Sequence, residues 1–414
     1  MPLNRWMILL LALTCGVAVG NVYFPQAISP SVAAGLHIGA GSAALVVTAT
    51  QFGYATGIFL LVPLGDRLPH RRLIVALLGL TGLGLLGASA APALPPLAGA
   101  SALIGLATVV APIIGPMAAG LVPEDRRGVV SGTLLSGSIG GMLLSRTLGG
   151  TLGEWLGWRA PYLLAAALSL VLAVAIARAL PPTSPPSGQR YPALLAESLR
   201  LLRAEPELRR SCFYQATIFG GFSAVWTGVA LLLTGPAYGL GIRAVGTLAL
   251  VNAGTMACTP IAGRLADRHG PDVVNLVCMV GVIVSALVLA GGAPGGAAGL
   301  AALVPGSLLL DVAMQSGMVA NQVRNYALRP EARSRVNTAY MTCAYLGGGA
   351  GSWLGARAYG RAGWWGVCGL VALLAVLALG RHLVAMHARG PGLDDSVEGS
   401  KGPTMSTAGR SGGR

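Results

Sequence analysis

The sequence predicts an all-α polytopic membrane protein, with twelve transmembrane helices in two six-helix, pseudo-symmetric bundles. Three observations carry that prediction. Of its 414 residues 54% are hydrophobic and 10% charged, against about 25% charged in a soluble domain. Apolar runs of about 20 residues, the thickness of a bilayer core, recur along almost the whole chain. Short landmarks of the first half also return, in order, in the second.

The expected spans are 6–26, 42–64, 73–91, 95–122, 128–153, 159–180, 211–233, 243–265, 273–292, 296–322, 335–357 and 362–386. The first has the look of a cleaved leader. Only Arg5 precedes it, however, and it ends in Asn21 to Gln26 without a small-residue cleavage site, so it reads as a retained span. The organisation is then a bundle over 1–180, a linker over 181–210, a second bundle over 211–388 and a tail over 389–414. The linker opens with prolines that resist helix. Leu194, Leu195, Leu199 and Leu202 then recur opposite Glu197, Arg200 and Arg203, as in an amphipathic helix lying on a membrane face. The glycine- and serine-rich tail reads as disordered.

A net charge of +14 invites a nucleic-acid reading, but its placement argues for topology. The termini and the loops after spans 2, 4, 6, 8 and 10 hold 23 of the 28 basic residues. By the positive-inside rule those segments, including both termini, are cytoplasmic. The chain is expected in the bacterial inner membrane, as a monomer among lipid, with no nucleic-acid partner. All six cysteines fall within or beside spans without metal-ligand spacing and read as buried thiols. No P-loop is present, and the only Gly-x-Ser-x-Gly match lies in the tail. The five histidines fall in loops or at helix ends. No enzyme, cofactor or metal site is expected.

The repeat is specific. Pro123-Glu124-Asp125-Arg126 returns as Pro330-Glu331-Ala332-Arg333, Gly140-Gly141 as Gly347-Gly348, and Gly157-Trp158 as Gly363-Trp364. The charged turn at Asp66 returns at Asp267. This second copy, Gly263, Leu265, Asp267, Arg268 and Gly270, resembles the signature G-x-L-x-D-R-x-G-R-R of the major facilitator superfamily, although Pro271 and Asp272 stand at its basic positions. The first copy keeps Leu64, Asp66 and Arg67, with His70, Arg71 and Arg72 following. It departs at Val62 and Pro69, where the signature has glycine. The resemblance covers residues 6–386. Ser136-Gly137 and the run Gly140 to Thr147, with Leu310-Asp311, Asn321-Gln322 and Arg333 to Met341, are similar to the sugar- and drug-exporting branch. Helix 5 lacks that branch's usual Gly-Pro pair.

What the resemblance implies is secondary transport of a small organic solute by alternating access, proton-coupled and outward by antiport, with uptake of a sugar or organic acid as its rival. A membrane receptor that does not transport is a further alternative. The resemblance also implies a cytoplasmic gate at Asp66, Arg67, Arg71, Arg72, Asp267, Arg268, Arg333 and Arg335, with Asp66 against the start of helix 11. The alternative is that both turns are topology signals alone.

Two ionisable groups lie deep in apolar spans, Asp311 in helix 10 and Arg146 in helix 5. Such groups cost several kcal/mol unless paired, hydrated or functional. They are candidates for proton coupling or charge recognition, and a static ion pair is the competing reading. By resemblance, helices 1, 4, 7 and 10 line the cavity, which makes Tyr23, Gln26, Trp226 and Gln315 substrate candidates. In helix 5, Gly132, Ser136, Gly137, Gly140 and Gly141 form small-residue stripes that allow close helix approach. A contact between the halves is expected there, either rigid or sliding.

Overall fold

The computed structural model describes residues 4–181, 190–329 and 332–387, with the side chains at 40, 124, 125 and 256–260 not described. Among the described residues the chain is helical, without strands. The tail, most of the proline-rich linker start and the Pro330-Glu331 landmark lie outside them.

Spans 1 to 3 are Arg5–Gly35, Ala40–Leu61 with a 3-10 turn at Val62–Asp66, and His70–Ser89. Span 4 is broken into Leu94–Ala107 and Val110–Gly120. At the break, the Thr108 hydroxyl donates to the Ala18 carbonyl at 2.8 Å, which ties the break to span 1. Spans 5 and 6 are Glu124–Leu156 and Arg159–Ala179, and span 7 is Pro206–Thr234. Span 7 starts five residues before the expected 211, because Pro206 is a good first helical residue.

Span 8 is composite. Arg243–Val251 runs into a 3-10 turn, Asn252–Ala257, and then into the helix Cys258–Ala290. Gly270, at φ 79°, breaks that helix into the end of span 8 and span 9. Span 10 is Gly296–Leu328. Arg333–His387 holds spans 11 and 12, parted at Ala362 and at Gly363, where φ is 59°. Both breaks need a left-handed backbone, and glycine supplies it without a steric penalty. Among the described residues ten helices are long and apolar enough to cross a bilayer. The breaks at Gly270 and Gly363, together with the composite span 8, resolve them into the twelve expected crossings.

The small-residue stripe of span 5 packs within the first half, which corrects the expected contact between halves. A Cβ at Gly141 would overlap the Gly16 backbone of span 1, and one at Gly137 the carbonyl of Ala12. Gly132 and Gly140 face open space, and Ser136 lines an apolar cleft of about 560 Å³ between spans 1, 5 and 6. The second half repeats the arrangement: Gly347 and Gly351 of span 11 meet Ala216 and Gly220 of span 7.

The halves meet along other seams. Span 2 lies against span 11, where the rings of Tyr54 and Tyr345 cross edge-to-face at 4.5 Å. At the opposite end from the basic loops, Thr147 of span 5 donates to the Gly246 carbonyl of span 8 at 2.9 Å, and Glu154 accepts from the Arg243 amide at 2.9 Å.

The linker helix Tyr191–Ala204 buries Leu194, Ser198 and Leu201, with Leu195 and Leu202 half-buried, a face rotated from the expected leucine stripe. Leu199 is exposed. Two contacts set this rotation: Tyr191 donates to the Leu60 carbonyl of span 2 at 2.6 Å, and Glu197 pairs with Arg335 of span 11 at 3.1 Å.

Gly141→Leu should lower the unfolding midpoint of the purified protein in detergent, as overpacking costs about 1–3 kcal/mol. Gly140→Leu, one residue along, should leave it nearly unchanged.

Candidate functional site

The polar centre is built around Arg146. Span 5 carries this guanidinium from the first half into aromatic side chains of the second, and it is fully buried. Its carbon sits 4.2 Å from the Trp226 ring centroid, 5.5 Å from that of Phe222 and 5.0 Å from that of Tyr23. Desolvated cation–π contacts of this kind are worth about 2 kcal/mol. Nε and Nη2 both donate to one oxygen, Oε1 of Gln26, at 3.2 and 2.7 Å.

Asp311 of span 10 is equally buried. It makes no direct ion pair with Arg146, although the two charges are within electrostatic reach. Trp226 connects them, presenting its ring to Arg146 and donating its indole N–H to Asp311 Oδ1 at 3.2 Å. At this centre two buried polar atoms, Arg146 Nη1 and Gln26 Nε2, find no hydrogen-bond partner among the described residues, while Asn252 offers its side-chain amide to Asp311. Such orphans are few in native interiors and each wants an explanation.

The surrounding shell closes the centre. The Tyr23 and Tyr345 hydroxyls are 3.0 Å apart across the two halves. Gln51 of span 2 donates to Ser223 of span 7 at 3.4 Å. Gln315 donates to Thr255 at 3.1 Å, and Ser307 donates to Asn252 at 3.3 Å. Of the residues read from the sequence, Tyr23, Gln26, Arg146, Trp226 and Asp311 therefore come together, with Gln315 one shell away. Tyr54, Phe219, Phe222 and Tyr345 were not singled out. The spacing Phe219, Phe222, Trp226, at i, i+3 and i+7, places three rings on one helical face and could have shown it.

The charged turns divide. Asp66 faces Arg335 electrostatically, and Arg71 donates to the Ala177 carbonyl of span 6. Arg67 and Arg72 are exposed. Arg333 donates to the Tyr326 carbonyl at 3.3 Å. In the second half Asp267 and Arg268 are exposed. The carboxylate that gathers partners there is Asp272, which the sequence reading treats only as a departure from the signature. Arg210 reaches Asp272 at 2.7 Å, and Arg324 bonds the same oxygen. His382 lies 4.0 Å away, fully buried and 3.1 Å from the Tyr214 hydroxyl. It lies near the end of span 12, as expected, and faces inward from it.

A two-bundle membrane protein with a closed polar centre between its halves belongs to the class of secondary transporters. Within that class the chain belongs to the Major Facilitator Superfamily, whose sequence profile matches residues 9–352. It is 35% identical over 377 residues to the uncharacterized transporter YgaY of Escherichia coli, covering 91% of this chain and 95% of that one. A Streptomyces coelicolor protein named as a transporter is 34% identical, covering 90% and 86%. A chloramphenicol resistance protein of Streptomyces lividans is 28% identical, covering 62% and 66%. The fold matches a nucleoside transporter with a TM-score of 0.74 at 13% identity, covering 93% and 99%. It also matches a bacterial homolog of the lysosomal transporter Spinster, with a TM-score of 0.67 at 14% identity, covering 92% and 96%. Family and relatives make the chain a transporter, not an enzyme.

Asp272→Asn should destabilise the protein by about 2 kcal/mol in detergent unfolding. That is less than the 3–5 kcal/mol of breaking a fully buried pair, because Asp272 is 28% exposed. Asp267→Asn should stay within about 0.5 kcal/mol of the native protein.

Proposed function

We propose that this transporter moves a small organic solute across the bacterial inner membrane by alternating access, with Asp311 as the group that gains and loses the coupling proton. One observation carries the reading. Asp311 is the carboxylate of the closed polar centre, with neutral donors beside it, the Trp226 indole and the Asn252 amide, and no direct ion pair with Arg146. A buried charge there is tolerated only while something compensates it. Taking up or releasing a proton therefore changes the electrostatic balance at the contact of the two halves, which is what coupling requires.

The basic-loop bias supports cytoplasmic termini. Asp66 with Arg335, and Glu197 with Arg335, would tie span 2, the linker helix and span 11 together when the cytoplasmic mouth closes. Rocking of the halves would break these contacts and those of Thr147 and Glu154 in alternation. Export is supported by the likeness of helix 5 to exporting permeases and by the chloramphenicol resistance relative. A second reading, uptake of an organic acid, is favoured by the position of Arg146.

Asp311→Asn should abolish flux driven by a pH gradient while leaving solute counterflow intact. The measurement uses proteoliposomes and a chemically diverse solute panel, with and without a protonophore. Flux that remains gradient-driven in Asp311→Asn would remove the proposed role. Sidedness under an inward proton gradient distinguishes export from uptake.

A further inference from the structure

Arg146 is unusual among buried arginines in what it lacks. A guanidinium in an apolar interior normally meets a carboxylate, in a bidentate fork where geometry allows. Here both donors of one fork edge fall on the single oxygen of a neutral amide, Gln26 Oε1. Nη1 is left bare, and the nearest acid is held off by the Trp226 indole. The orphaned atoms at the centre show the same imbalance: both, on Arg146 and Gln26, are donors. A ligand that satisfies them must bring acceptors.

We infer that the transported solute carries a carboxylate on a small apolar body, that this carboxylate docks on Arg146, and that it binds together with a proton on Asp311. The inference deepens the proposed function, rests on its assignment of the proton to Asp311, and favours its uptake reading over export.

The charge balance requires the proton. Arg146 and Asp311 together are neutral. Adding a carboxylate leaves one uncompensated negative charge in a dry shell, unless Asp311 is protonated at the same time. Adding an ammonium leaves an uncompensated positive charge instead. A phosphate dianion exceeds what one guanidinium and one proton can offset. A carboxylate supplies two coplanar oxygens where Gln26 supplies one, so it matches the fork. The titratable groups facing Arg146 are Asp311, Tyr23 and Tyr345. The two phenols are neutral throughout the working pH range, so Asp311 sets the balance. The apolar body has its counterpart in the rings of Tyr23, Phe222 and Trp226 around the guanidinium. Solute and proton then bind cooperatively, which is the sign of co-transport and not of exchange.

The test uses the full-length protein in detergent, with apparent Kd read from ligand-induced thermal shifts. The probes are benzoate, phenylacetate and cyclohexanecarboxylate, each beside its amide and its amine. The expected result is roughly tenfold or tighter binding of at least one carboxylate over its amide, the scale of a lost charge-assisted hydrogen bond. Binding should tighten from about pH 8 to about pH 5.5 as Asp311 takes up its proton. Asp311→Asn should keep the carboxylate preference and lose the pH dependence. Arg146→Gln should lose the preference, and Arg146→Lys should restore part of it. If Arg146→Gln does not fold, the native protein and Asp311→Asn still decide the matter. Preference for the amine or the amide, equal shifts, no carboxylate shift at either pH, or pH-independent carboxylate binding by the native protein would each overturn the inference. Failure here with gradient-driven flux still lost in Asp311→Asn leaves the proposed function standing. A carboxylate preference alongside gradient-driven flux in Asp311→Asn removes the proton role and keeps the docking on Arg146.

Discussion

The arrangement at the centre depends on one constraint: a fully buried arginine at the contact of the two halves must be satisfied without an ion pair. The solution is a neutral amide from span 1 and a set of aromatic faces from spans 1 and 7. Each of these contacts is weaker than a salt bridge in the same place. Their weakness is useful to a transporter, because a strong pair between the halves would lock them. Trp226 has a part in both sides of the arrangement, with its face to the cation and its N–H to the acid. Its contact with Arg146 crosses between the halves, while its bond to Asp311 lies within the second half.

Around that centre the two halves are held together internally by the same means. Within a half, glycine contacts bring backbones together, span 1 on span 5 and span 7 on span 11. Such contacts lose energy steeply with separation and resist sliding. Between halves, the contacts are hydroxyls, amides and ring edges that can be exchanged for others. The molecule is thus divided into bodies that keep their shape and seams that can change. The basic end adds a cluster in the second half, where Arg210 and Arg324 share Asp272 and pin spans 7, 9 and 10 together.

Much of this was legible in the chain, because membranes impose simple rules. Apolar runs must span, polar groups in them must be answered, and arginines mark one side. Asp311 and Arg146 stood out for that reason, and so did Tyr23, Gln26 and Trp226. The errors have physical causes too. The glycine stripe of span 5 specifies a close neighbour but not which neighbour, and span 1 proved to be the one. Asp272 was passed over because the signature expects a base there, whereas the arginines that need an acid, Arg210 and Arg324, come from distant parts of the chain. His382 sits near the end of its helix, which hides that it points inward to Tyr214.

The sequence by itself determined the class, the number of crossings, the duplication and the positions of the buried charges. Those follow from local composition and period, which depend on no long-range contact. Only the tertiary structure decided that Arg146 meets Gln26 and Trp226 and not Asp311, and that two donors at the centre, on Arg146 and Gln26, are left unanswered. Pairing between helices is a matter of rotation and depth. A single residue of helical phase, or one indole placed between two charges, is enough to separate an ion pair from a binding site.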